Sequence, residues 1–119
     1  MIKIDTILAG AYKLDHRIAI YVPGTVDTDK TADNRQQVER VTAEFSRMFG
    51  GATATTATGF WQSESAGLVA ETTTIVYAAC TAQQLEKHLA DVVEIARQIK
   101  REMRQEAVSL ECDSCLYIL

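Results

Sequence analysis

The pattern of apolar and polar positions is uneven along the chain. Residues 1–16 mix the two without a steady period. Ile2, Ile4 and Ile7 suit a short edge strand or an N-terminal extension, interrupted at Gly10 and Asp15. From Arg17 to Val22 the residues alternate, with Ile18, Ile20 and Val22 on one side and Ala19 and Tyr21 on the other, which predicts a strand. Pro23-Gly24 stops it and a polar loop follows to about Ala32.

Val38, Val41, Phe45 and Met48 recur at helical spacing. They predict a helix that begins at Asp33, with Gln36 completing a box-like start, and ends at Gly50-Gly51. The Thr/Ala tract from 52 to 61 favours extended backbone because branched side chains fit a pleated surface. The turn-rich Gln62–Gly67 then leads into a strand over 68–79, so the two runs predict a hairpin. Thr81 and Gln84 form a capping box. Behind it Leu85, Leu89, Val92, Ala96, Ile99 and Met103 make the cleanest stripe in the chain, over a helix of about 35 Å. Val108, Leu110 and Cys112 alternate as a last strand, and residues 113–119 form a tail or a further strand.

The element order predicts one α+β domain spanning 1–119. It is a ferredoxin-like β-α-β-β-α-β plait, a four-stranded antiparallel sheet with two helices on one face. A length of 119 residues suits one core. With 47% hydrophobic and 24% charged residues the chain is expected to fold rather than stay disordered.

Charge sharpens the picture at one place. Between Arg47 and Glu86 the only charged side chains are Glu64, in the turn, and Glu71, within a strand. An open sheet face normally carries charge at every second position. Here Val69, Glu71, Thr73, Ile75 and Tyr77 share one face, and Leu68, Ala70, Thr72, Thr74 and Val76 the other. The simplest account is a cover supplied by a second copy of the chain, with a two-fold homodimer favoured. A ligand cavity in the sheet is the alternative, and threonine alone meeting water is the third.

The net charge of −4 argues against a phosphate-coating nucleic-acid binder. Arg97, Lys100, Arg101 and Arg104 leave weak nucleic-acid binding as an alternative, although cations there complement the helix dipole. No apolar run approaches the ~20 residues that cross a bilayer, and the N-terminus lacks the features of a secretory signal. The expected location is the cytoplasm, with Cys80, Cys112 and Cys115 as free thiols.

Few residues carry obvious chemistry. Cys112-x-x-Cys115 has the spacing of a redox or metal pair, with Cys80, His16 or His88 to complete a metal site. The pair follows a strand rather than opening a helix, so ordinary thiols are expected and no metal. His16 is general-base material without a placed partner, and His88 flanks the core stripe. Glu71, Gln105 and Glu106 form the candidate acid–base set. A carboxylate on a nearly uncharged strand is expected to be desolvated and raised in pKa, unless Arg17 or Lys13 pairs with it. Trp61, Tyr21, Tyr77 and Thr73 are candidate ligand or interface residues. No phosphate loop, nucleophile elbow or metal-binding His pair is present, and no cofactor is implied.

Gly59-Phe60-Trp61, then Glu71, then Arg104-Gln105-Glu106-Ala107-Val108 resemble the motifs of a family of small bacterial domains of unassigned function, DUF3574. The resemblance spans roughly residues 17–111. Ala107 stands where that family usually has Ser, and the family's helix-to-strand prolines are missing. It implies a plait-like fold and gives weight to Trp61, Glu71, Gln105 and Glu106, but it implies no reaction. The functional expectation is a self-associating interaction or ligand-binding module. A small enzyme using Glu71 as acid or base, with Trp61 as a pocket wall, is the alternative.

Overall fold

The computed structural model describes residues 1–26 and 30–119. Its elements run α1 (Ile4–Ile7), β1 (His16–Pro23), β2 (Thr25–Val26), β3 (Lys30–Thr31), α2 (Arg35–Phe49), β4 (Thr53–Ser63), β5 (Gly67–Cys80), α3 (Ala82–Glu102), β6 (Ser109–Cys112) and β7 (Cys115–Ile118). The fold is α+β. Five strands form an antiparallel sheet in the order β4-β5-β1-β6-β7, and β2 with β3 make a small separate ribbon.

The alternation read in the sequence decides which sheet face is buried. Ile18, Ile20 and Val22 of β1 join Val76, Ala78 and Cys80 of β5 and Leu110 of β6 in the core. Against them pack Val41, Phe45, Met48 and Phe49 of α2 and Val92, Ile95, Ala96 and Ile99 of α3, so both long helices cover that face. The capping box at Thr81 is present: its side chain accepts the Gln84 N–H at 3.1 Å, and Gln84 Oε1 accepts the Thr81 N–H at 2.9 Å. Gly50 closes α2 in the left-handed region at φ 90°, where an L side chain is strained.

Four expectations change. The sheet has five strands rather than four, because residues 115–118 turn back on β6 and add β7 at the edge. Residues 1–15 form no edge strand; they carry one turn of helix and are exposed throughout. The polar stretch after Gly24 is partly extended as β2 and β3, while residues 27–29 of that loop lie outside the described residues. Helix α2 starts at Arg35 behind Asn34, not at Asp33. The Asp33 carboxylate instead accepts the Arg35 N–H at 3.0 Å and grips the Arg35 guanidinium, so local pairing outcompeted the cap.

The β4–β5 hairpin outgrows the rest of the sheet. Strand β1 pairs with β5 only as far as Pro23 opposite Thr73, but the hairpin continues to Ser63 opposite Gly67. The part beyond Thr73 is an arm without helices over it. The chain leaves β1 through Gly24, whose N–H donates to the Thr72 carbonyl at 3.0 Å.

Candidate functional site

Because β1 stops at Pro23, the flank of the arm beside Glu71 is left to the segment between α3 and β6. Residues Gln105, Glu106 and Ala107 cross there and face Gly59, Phe60, Trp61 and Glu71 around a cleft of about 370 Å³. The four residues singled out in the sequence, Trp61, Glu71, Gln105 and Glu106, are thus brought together although they come from three separate segments. A second hollow of about 610 Å³ opens beside the arm, lined by Gly24, Thr25, Thr31, Thr58, Val69 and Thr72 among others. Trp61 and Glu71 border both.

The arm's register explains this pairing of side chains. Gly59 lies opposite Glu71 and Trp61 opposite Val69, so Glu71 and Trp61 point to one side of the ribbon at neighbouring positions. Gly59 leaves room beside the Glu71 side chain; a Cβ there would reach within 4.0 Å of its Cγ. The expected partners of Glu71 lie elsewhere. Arg17 stacks on the Tyr77 ring at 3.9 Å and faces Glu111 at 3.4 Å, and Glu71 makes no hydrogen bond or ion pair among the described residues. It is half-buried, and among the described residues no cation pairs with it.

Gln105 has a different part from the one its sequence position suggested. Its Nε2 donates to the Thr25 carbonyl at 2.8 Å and the Met103 carbonyl at 3.1 Å. The side chain therefore ties the crossing segment to β2 and is a positioning residue rather than an acid or base. Glu106 is exposed on the cleft's rim.

Tyr21, Tyr77 and Thr73 do not join this cleft. Tyr21 donates its hydroxyl to Glu111 Oε1 at 2.7 Å, which, with partial burial, pushes the phenol's pKa up. Tyr77 lies under Arg17, and Thr73 spends its hydroxyl on the Val22 carbonyl at 2.9 Å. The middle of the open sheet face is therefore a polar network of Arg17, Glu111, Tyr21 and Tyr77. The sequence hid this because its charges sit on β1 and β6, not on the hairpin.

His16 finds the partner that sequence reasoning could not place. Its Nδ1 lies 3.0 Å from Asp113 Oδ1. Asp113 sits in the β6–β7 turn at φ 56° and is clamped to β1: it donates its N–H to the Arg17 carbonyl at 2.7 Å and accepts the Arg17 N–H at 3.1 Å. The His16 contact, followed by the Arg17 N–H bond, holds the Asp113 carboxyl below its ordinary range. The signal was a turn-forming Asp next to Cys112, legible only once β7 is known to fold back.

Cys112 and Cys115 face each other across the β6–β7 turn, Cys80 is buried and its thiol is raised by that burial, and His88 packs edge-on to Phe49 at 5.8 Å. Among the described residues no three His, Cys, Asp or Glu side chains converge as ligands. Arg97, Lys100, Arg101 and Arg104 line a shallow cleft with Leu119, where Arg101 pairs with Glu94 at 3.1 Å. No helix among the described residues is long and apolar enough to cross a membrane.

No family model matches the chain, and no curated protein matches it. Two solved structures resemble it. One is a phage SAM lyase in complex with S-methyl-5'-thioadenosine, with a TM-score of 0.65 at 16% identity over 91% of each chain. The other is a phage SAM lyase in the apo state, with a TM-score of 0.64 at 18% identity over 87% of each chain. At these identities the likeness is one of fold.

Proposed function

We propose that this protein binds a small sulfonium nucleoside of the S-adenosyl type in the Trp61–Glu71 cleft and breaks its carbon–sulphur bond. The observation that carries the reading is Glu71: a half-buried carboxylate without a partner among the described residues, beside an indole, on an arm free of cations. A sulfonium is a permanent cation that offers no hydrogen at sulphur. A carboxylate and an aromatic face both attract its charge, and both are present here. The cleft's volume suits a small ligand, for which sites of about 300–1,000 Å³ are usual. The fold likeness to a lyase that binds S-methyl-5'-thioadenosine supports the same ligand class.

In this reading Trp61 carries the flat base or the sulfonium, and Glu71 attracts the cation and orients the bond to be broken. As the bond breaks, its electron pair goes to sulphur, which becomes a neutral thioether, and the substrate's own carboxylate oxygen closes on the released carbon as a lactone. No further reactant is needed, and the product loses the charge attraction that held the substrate. Gln105 holds the crossing segment in place. Three details of the sequence expectation belong with this proposal. The sheet order is that of a ferredoxin-like plait with β7 added at its edge. The DUF3574-like residues, Trp61, Glu71, Gln105 and Glu106, all border this cleft. The free thiols Cys80, Cys112 and Cys115 suit the cytoplasm.

Incubating the protein with S-adenosyl methionine and separating the products by chromatography tests the proposal. Release of S-methyl-5'-thioadenosine is expected, with a loss of at least 100-fold in Glu71→Gln and an unchanged circular dichroism spectrum. The absence of both turnover and calorimetric binding of substrate or product at millimolar concentration would overturn it.

A further inference from the structure

The surface of the isolated chain is too large for its mass. A compact monomer of 13.1 kDa exposes about 6,400 Å², whereas this chain exposes 7894 Å². The difference of roughly 1,500 Å² exceeds the about 800 Å² that each partner gives to a stable interface. Its radius of gyration of 16.3 Å likewise exceeds the about 13.5 Å expected for this length.

Two elements that contribute to the excess lie at opposite ends of the sheet. One is the N-terminal strap, residues 1–15, which enters β1 at the His16–Cys80 end. It exposes Ile2, Ile4, Ile7, Leu8 and Tyr12, with Ile7 at 72% and Tyr12 at 85%. None of its residues is buried, so the fold of its own chain gives these side chains no place. The other is the hairpin arm at the far end, exposing Phe60 at 64% and Leu68 at 68%. Gln62 opposes Leu68 and Phe60 opposes Ala70, so Phe60 and Leu68 are diagonal neighbours on the face of the arm that continues the core face of Val76 and Ala78 beyond the cover of the helices. Strand β4 is also a long open edge with no Lys, Pro or inward charge to deter pairing.

The arm's charged residues, Glu64 and Glu71, are both acidic, and the strap carries Lys3 and Lys13 together with Asp5 and Asp15, which leaves its side chains without net charge. Glu64, Glu71, Lys3 and Lys13 have no partner within their own chain among the described residues.

We infer that the strap of one copy of this chain docks on the β4–β5 arm of a second copy, with Ile4, Ile7 and Leu8 against Phe60 and Leu68. Because strap and arm are different surfaces, each copy both gives a strap and receives one. The contacts close when the strap of the last copy reaches the arm of the first. This inference does not rest on the sulfonium reading, and its readout is mass rather than turnover.

The test is sedimentation of the full chain between 5 and 500 µM. The expected result is a single species at a multiple of 13.1 kDa. The triple variant Ile4→Ser, Ile7→Ser, Leu8→Ser and the double variant Phe60→Ser, Leu68→Ser should each raise the dissociation constant at least tenfold while keeping the wild-type circular dichroism spectrum. Lys3→Glu with Lys13→Glu should weaken assembly, and Glu64→Lys should restore it. Cross-linking a mixture of isotopically light and heavy chains should join Lys3 or Lys13 to Glu64 as mixed light–heavy pairs. A wild-type chain that stays at 13.1 kDa throughout overturns the inference. So does an assembly indifferent to both serine variants. Co-sedimentation of the wild type, but not the strap variant, with phosphatidylserine vesicles would assign the strap to a membrane and overturn it as well.

Discussion

At Gly24 the chain turns out of β1 so close to the arm that a Cβ would stand 2.4 Å from the Thr72 carbonyl oxygen. That oxygen is backbone and already accepts the Gly24 N–H, so it cannot swing aside as a side chain would. Gly24→Ala must therefore push the arm away from β1. The expected cost is about 1–3 kcal/mol of stability, seen as a lower urea midpoint. A larger relative loss of ligand affinity should accompany it, because Thr72 adjoins Glu71. Acid sensitivity is also decided at single residues. Asp113 is held low by His16 and Glu102 by Arg40, so both folded-state pKa values lie below their unfolded ones. Their contribution is fully present above the ordinary carboxylate range of about 4. It is lost as pH falls through the folded values. Melting temperatures recorded from pH 7 to pH 3 should fall steeply below pH 4, and Asp113→Asn should flatten part of that fall.

Among the elements, α3 owes its start to a cap that the sequence spells out. Thr81→Ala removes the acceptor for the Gln84 N–H and should cost about 1 kcal/mol in denaturant unfolding. The long elements were legible because each shows a period over many residues: the stripes of α2 and α3, the alternation of β1, and the Thr-rich hairpin. What escaped were features set by contacts distant in sequence. That residues 115–118 pair back on β6 rather than trail as a tail depends on the Asp113-Ser114 turn, which lets Cys115 oppose Cys112. Asp33 reads as a cap but is diverted by an arginine two residues on. The cleft was half legible: Trp61, Glu71, Gln105 and Glu106 stood out by composition and motif. The bond from Gln105 to the Thr25 carbonyl, which spans 80 residues, did not. The polar network over the sheet was also missed, because its members lie on strands that only the topology makes neighbours.

For the whole molecule, the decisive contrast is between a helix-covered core and an arm that projects from it. Local stability follows buried contact, and amides in poorly packed segments exchange through small openings at little free-energy cost. In an isolated chain the arm's amides should therefore exchange quickly. Its strands are paired with each other, but no helix covers them and β4 is exposed along nearly its whole length. A strap from a second copy changes this, because arm openings must then break the contact between copies. Hydrogen exchange followed by mass spectrometry, on wild type and on the Ile4, Ile7 and Leu8 serine variant, measures the difference. Peptides covering 57–70 should exchange at least tenfold more slowly in the wild type. Peptides from β1 and the centre of α3 should match in the two proteins, since Ile18, Ile20, Ala96 and Ile99 are buried within each copy. Equal exchange in the arm of both proteins would place the strap somewhere other than on the arm. Slower exchange throughout the wild type would mean that the strap stabilises its own chain instead.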